Sequence, residues 1–132
     1  MPYLPIADYA VIGDLHTAAL VGRNGSIDWC CPRQFDAPSV FGALLDDAKG
    51  GRCRIAPVGN WTTEQRYLPG TNVVETAFHA EGGGVLQVTD FMPVGTARGK
   101  WTEIYRRVIC PRGSVTFDIL FEPRFDYGLQ LP

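Results

Sequence analysis

Nucleophilic catalysis by a Ser/His/Asp set needs a histidine beside a serine, and the chain has two histidines, His16 and His79. Neither sits in a G-x-S-x-G context, so both read as polar loop or strand residues. Splitting a glycosidic bond with inversion needs two carboxylates about 6 to 9 Å apart across a sugar, one as acid and one as base. Asp28, Asp36, Asp90 and Asp126 are the candidates. Each has a simpler role: Asp36 as a helix cap, Asp28 as an outward strand position, Asp90 and Asp126 as partners of neighbouring arginines. A complete catalytic pair is therefore not expected within this chain. The glycine-rich Glu81-Gly82-Gly83-Gly84 lies between two strand-like segments, which makes it a hairpin turn rather than a phosphate cradle.

Cys30, Cys31, Cys53 and Cys110 contain no C-x-x-C pair. Cys30 and Cys31 are adjacent in a strand-like segment, so their side chains point to opposite faces and neither share a metal nor bond to each other. They read as buried thiols of a reducing compartment, with a Cys53 to Cys110 bridge left open. No metal and no cofactor is expected. Trp29, Trp61 and Trp101 could stack on pyranose rings, since an indole offers a flat apolar face with a polar edge. The competing reading makes Trp29 core and the other two partly covered loop residues.

The elements that would position these groups begin with the stretch 17–41. Asn24-Gly25 between apolar runs signals a type I′ hairpin. That turn sets Leu20 opposite Trp29 and Val21 opposite Asp28. Ala18, Leu20, Gly22, Ile27, Trp29 and Cys31 then share a core face. Pro32 ends the strand, and Val40, Phe41, Leu44 and Leu45 recur at the spacing of a short helix capped by Asp36 or Ser39. Upstream, 1–14 reads as an edge strand. Downstream, strands are expected at 52–56, 61–68, 72–80 and 85–91, then a loop at 93–100 and a last hairpin of 103–110 with 114–122. In that final strand Val115, Phe117, Ile119 and Phe121 alternate with Thr116, Asp118, Leu120 and Glu122 and are expected to face the core. The predicted fold class is an all-β antiparallel sandwich with one short helix, spanning 1–132 as a single domain.

Length and charge narrow the function. At 132 residues the chain fits one domain, and a formal charge of −2 with both signs interspersed leaves no footprint for nucleic acid or an anionic membrane. No apolar run approaches the ~20 residues of a membrane-spanning helix, and MPYLPIADYA lacks a basic region followed by an apolar block. A soluble, cytoplasmic protein is expected.

The run IADYAVIGDLHTAALVGRNGSIDWCCPRQFDAPSVFGALLDD, followed in order by RYLPGTNVVET, VTDFMPV, IYRRVICPRGSV and EPRFDYG, resembles the N-terminal domain of bacterial and archaeal trehalase-like and glucoamylase-like enzymes of glycoside hydrolase family fifteen. The resemblance implies a β-sandwich that precedes an (α/α)₆ barrel, where two glutamates act as acid and base in an inverting hydrolysis of an α-glucosidic bond. Those glutamates have no matching positions in these residues, so the chain itself is expected to be non-catalytic. Where family members read PRFD, this chain has Arg33-Gln34-Phe35-Asp36. Arg33 falls one residue early, and in an extended segment that shift sends its guanidinium to the opposite side.

The expected function is thus an accessory domain that packs against the barrel of the same enzyme and shapes the rim of its sugar site. Trp29, Arg33, Phe35, Asp36, Arg124, Phe125, Asp126 and Tyr127 are the expected rim or interface residues, because their aromatic and charged segments lie outside clean strands. Two alternatives come from other classes. One is a free-standing carbohydrate-binding module that takes an α-glucoside. The other is a self-associating domain whose apolar face meets a second copy.

Overall fold

The computed structural model describes residues 4–32, 38–94 and 102–124. Nine strands follow in order: β1 (Tyr9–Gly13), β2 (Ala18–Gly22), β3 (Ser26–Cys30), β4 (Arg52–Pro57), β5 (Trp61–Tyr67), β6 (Val74–Ala80), β7 (Val85–Phe91), β8 (Tyr105–Arg112) and β9 (Phe117–Glu122). They form two antiparallel sheets, one ordered β1-β2-β3-β4-β9 and the other β5-β6-β7-β8. This is the expected all-β class, with the N-terminal strand at an edge.

Period-two patterning accounts for the inner faces. Val74, Thr76 and Phe78 of β6 are fully buried, as are Leu86 and Val88 of β7, while Gln87 and Thr89 point to the wetter side. One core cluster joins Ala10, Ile12, Ala19, Val21, Ile27 and Cys30 of the first sheet to Val74 and Met92. A second joins Ile55 and Ala56 of β4 to Phe78, Leu86 and Val88. The β6–β7 hairpin turns through the glycine run as expected, with the Gly83 amide donating to the Ala80 carbonyl at 3.0 Å.

The β2–β3 hairpin departs from the type I′ expectation. The Gly25 amide donates to the Gly22 carbonyl at 3.0 Å, so Arg23 and Asn24 are the central residues. Gly25, at φ +81°, takes the left-handed position that follows them, and Asn24 does not. This is the three-residue hairpin connection, which adds a bulge. Leu20 still opposes Trp29, but Val21 opposes Ile27 and the register shifts between them. The bulge lets Ile27 and Cys30 face one side, where Ala19 and Val21 join them in the core cluster, while Leu20 and Trp29, expected there, are only half-buried. Ala18 and Cys31 are buried as expected.

Two further expectations are corrected. The segment after Pro38 forms no helix: Phe41 bridges back to Cys30, and turns closed by Gly42 follow. A helix this short begins at an unfavourable nucleus, and here the sheet offers Val40 and Phe41 backbone partners in its place. The one helical piece among the described residues is a 3₁₀ turn at Ile6–Asp8. The last hairpin is also absent, because β8 pairs with β7 while β9 crosses to β4 in the other sheet. Phe117, Ile119 and Phe121 are then 36%, 63% and 65% exposed rather than core. Alternation shows that a strand has two unlike faces; it does not tell which neighbour covers them.

Candidate functional site

Of the expected rim residues, Trp29 and Arg124 fall within the described part; Arg33, Phe35, Asp36, Phe125, Asp126 and Tyr127 lie outside it. Trp29 is half-buried on β3 opposite Leu20. The Arg124 amide donates to the Val40 carbonyl at 2.8 Å, and its guanidinium lies 3.7 Å from the Glu122 carboxylate. Its Cβ and Cγ lie where a Cβ on Gly51 would intrude, at 2.9 and 2.7 Å. Val40 in turn donates to Cys30 at 2.9 Å, and the Phe41 and Phe121 rings meet edge to face at 5.9 Å. Val40 and Arg124 are neighbours for this reason. The chain that follows the PRQFDA segment and the chain that opens EPRFDYG meet at one end of the first sheet.

Of the four candidate carboxylates, Asp36 and Asp126 lie outside the described residues, and Asp28 and Asp90 are engaged within the scaffold. Asp28 is buried rather than outward-facing, because the bulge turns it inward, and it accepts the Tyr9 and Ser26 hydroxyls at 2.5 Å each. Burial, and then the hydrogen bond to Asp28, push the Tyr9 hydroxyl well above the usual phenol range. Asp90 is completely buried and faces Arg106 across the β7–β8 pair. Arg106 reaches it with Nε at 2.6 Å and a second nitrogen at 3.3 Å, the bidentate geometry a planar fork provides. The same guanidinium donates to the Cys53 and Gly25 carbonyls, each at 2.8 Å. One arginine therefore ties β8 to the opposite sheet. Burial holds the Asp90 carboxyl above the usual carboxylate range against the pull of Arg106. Burial works against the Arg106 charge as well, but the Asp90 carboxylate outweighs it and keeps the guanidinium charged.

A second polar bridge joins the sheets at the N-terminal edge. The Gln65 amide donates to the Val21 and Gly22 carbonyls at 3.3 and 3.4 Å, and the Val11 amide donates to the Tyr67 hydroxyl at 2.8 Å. Sequence reasoning foresaw an arginine partner for Asp90 but not the cross-sheet tie. The available signal was phase: Asp90 continues the inward row of Leu86 and Val88, so it needed a buried cation.

Trp61 packs edge to face on buried Phe78, with ring centroids 5.0 Å apart. It borders an open depression of about 360 Å³ shared with Asn60, His79 and Glu81. His79 lies exposed at 4.0 Å from Glu64, and His16 is likewise exposed. Cys53 and Cys110 form no disulfide, so the bridge left open by the sequence is absent. Among the described residues no group of three or more His, Cys, Asp or Glu converges in a metal-binding arrangement. No helix there is long and apolar enough to cross a membrane.

The family described as "Trehalase-like, N-terminal" matches residues 3–131. The chain belongs to the trehalase-like N-terminal domain family. Its relatives include a trehalase of Mycobacterium tuberculosis, 35% identical over 96% of this chain and 21% of that protein. A trehalase of Thermoplasma volcanium is 37% identical over 98% of this chain and 21% of its own length. Trehalase 1 of Sulfolobus acidocaldarius is 39% identical over 92% and 20% respectively. The trehalase-like domain thus spans about a fifth of the length of the curated relatives it matches. No solved structure matches it. The sequence blocks that carry the resemblance meet in the buried tie: Gly25 of RNGSIDW, Asp90 of VTDFMPV and Arg106 of IYRRVIC.

Proposed function

We propose that this domain is the non-catalytic accessory part of a trehalase-like or glucoamylase-like hydrolase of α-glucosidic bonds. It packs against the catalytic barrel of the same polypeptide and contributes to the rim of the sugar site. The observation that carries this reading is the engagement of the two candidate carboxylates among the described residues. Asp28 is held by Tyr9 and Ser26, and Asp90 by Arg106, so both serve the scaffold. An acid and base that must exchange protons with water and sugar need access that these two lack. The convergence of Val40 with Arg124 supports a rim role for the flanking segments, with Trp29, Arg33, Phe35, Asp36, Arg124, Phe125, Asp126 and Tyr127 as its candidates. Cysteines that form no disulfide, Cys53 and Cys110 among them, fit a reducing, cytoplasmic setting.

The test is a titration of the purified chain with trehalose and malto-oligosaccharides, followed by tryptophan fluorescence. The accessory reading predicts no saturable change. Saturable binding in the millimolar range or tighter would overturn it in favour of a free-standing carbohydrate-binding module.

A further inference from the structure

Residues directly opposite in an antiparallel pair share a face, and β4 and β9 pair Cys53 with Phe121, Ile55 with Ile119 and Pro57 with Phe117. Ile55 lies in the core cluster beneath the second sheet and is 4% exposed. Its neighbour Ile119, one strand further on the same face, is 63% exposed. The first sheet therefore continues past the cover that the second provides. Beyond that cover it presents Phe117, Ile119 and Phe121 as an apolar row, with half-exposed Leu120 on the reverse face. An edge strand of this composition is a liability unless something lies on it.

Which partner covers it follows from where the chain goes. Arg124 is still fixed to Val40 two residues after β9 ends, which keeps the last described residue beside this face. In trehalase relatives the matching region is about a fifth of the whole, leaving a large remainder to be placed. A covalent tether would raise the effective concentration of a following domain at this surface far above that of a free partner. We infer that the inner face of β9 is the surface on which the catalytic part of a trehalase-length polypeptide docks, laying an apolar patch of its own across Phe117, Ile119 and Phe121. This rests on the accessory-domain reading and adds its location.

The experiment joins this chain through Pro132 to the part of the Thermoplasma volcanium trehalase beyond the matched region, and compares the fusion with the free domain. Hydrogen exchange of the β9 amides is expected to slow by roughly tenfold or more in the fusion, with β1 unchanged. Ile119→Asp is expected to abolish that protection in the fusion while leaving the unfolding midpoint of the free domain in place. Leu15→Asp, at another exposed apolar position, is expected to preserve it. A fusion that hydrolyses trehalose with unchanged β9 exchange would sink the location and leave the accessory reading standing. Two halves that melt independently, without hydrolysis, would sink both. A free domain that forms a dimer dissolved by Ile119→Asp would assign the face to a second copy and overturn the inference.

Discussion

At the scale of single residues, Arg106 has the largest structural role. Its guanidinium satisfies Asp90 and two carbonyls of the opposite sheet at once, all out of water. Arg106→Met should leave a buried carboxylate without a partner and cost about 3 to 5 kcal/mol, read as a lower midpoint in urea denaturation. The double variant Asp90→Leu/Arg106→Met should recover much of that loss, since an apolar pair needs no compensating charge. Equal destabilisation by single and double variants would contradict the buried-charge explanation. Cys30 gives a pH dependence. Burial first, then the neighbouring Cys31 and Asp14, push its thiol from 9.0 up to about 12. A folded-state value above the unfolded one means that the contribution is fully present below pH 9 and is lost as pH rises towards 12. Urea midpoints should therefore fall across that window, and Cys30→Ala should flatten the fall. In native protein near pH 8 a thiol reagent should modify exposed Cys110 readily and Cys30 only after unfolding.

At the scale of elements, the β2–β3 connection sets the register of the first sheet. A Cβ at Gly25 would sit 2.0 Å from the Ile55 carbonyl and 2.8 Å from the Phe78 ring, on a backbone at φ +81°. Gly25→Ala should thus cost more than about 3 kcal/mol, enough to prevent folding as followed by circular dichroism. Gly83 also has a positive φ, +95°, but nothing lies near its would-be Cβ. Gly83→Ala should cost only about 1 kcal/mol. The same connection shows what sequence could and could not convey. Asn24-Gly25 marked a hairpin, and the Leu20 to Trp29 pairing followed from it. Whether Asn24 or Gly25 alone takes the left-handed conformation decides if a bulge forms, and that depends on the Ile55 backbone closing over Gly25 from a distant strand. Strand existence was legible for β4 to β7 because their alternation is local. The placement of β9 beside β4 was not, since Phe117 to Glu122 would read alike in either sheet.

At the scale of the whole molecule, the two sheets are joined by apolar clusters and by the polar ties of Arg106 and Gln65, while β9 extends past the covered region. The fold class and family were both readable from the chain, since short motifs in a fixed order survive without any knowledge of contacts. The site was less so: Trp29 and Arg124 are placed, and the convergence of Val40 with Arg124 rests on a long-range backbone bond that no local pattern announces. The central claim is that these residues form a scaffold in which Asp28 and Asp90 are committed to folding, not to bond cleavage. Glucose release from trehalose and maltose by the purified 132-residue chain measures this most directly. The account predicts a rate indistinguishable from buffer at every pH from about 4 to 8, a range that spans the working window of carboxylate acid–base pairs. Steady glucose release that scales with the amount of chain would contradict it.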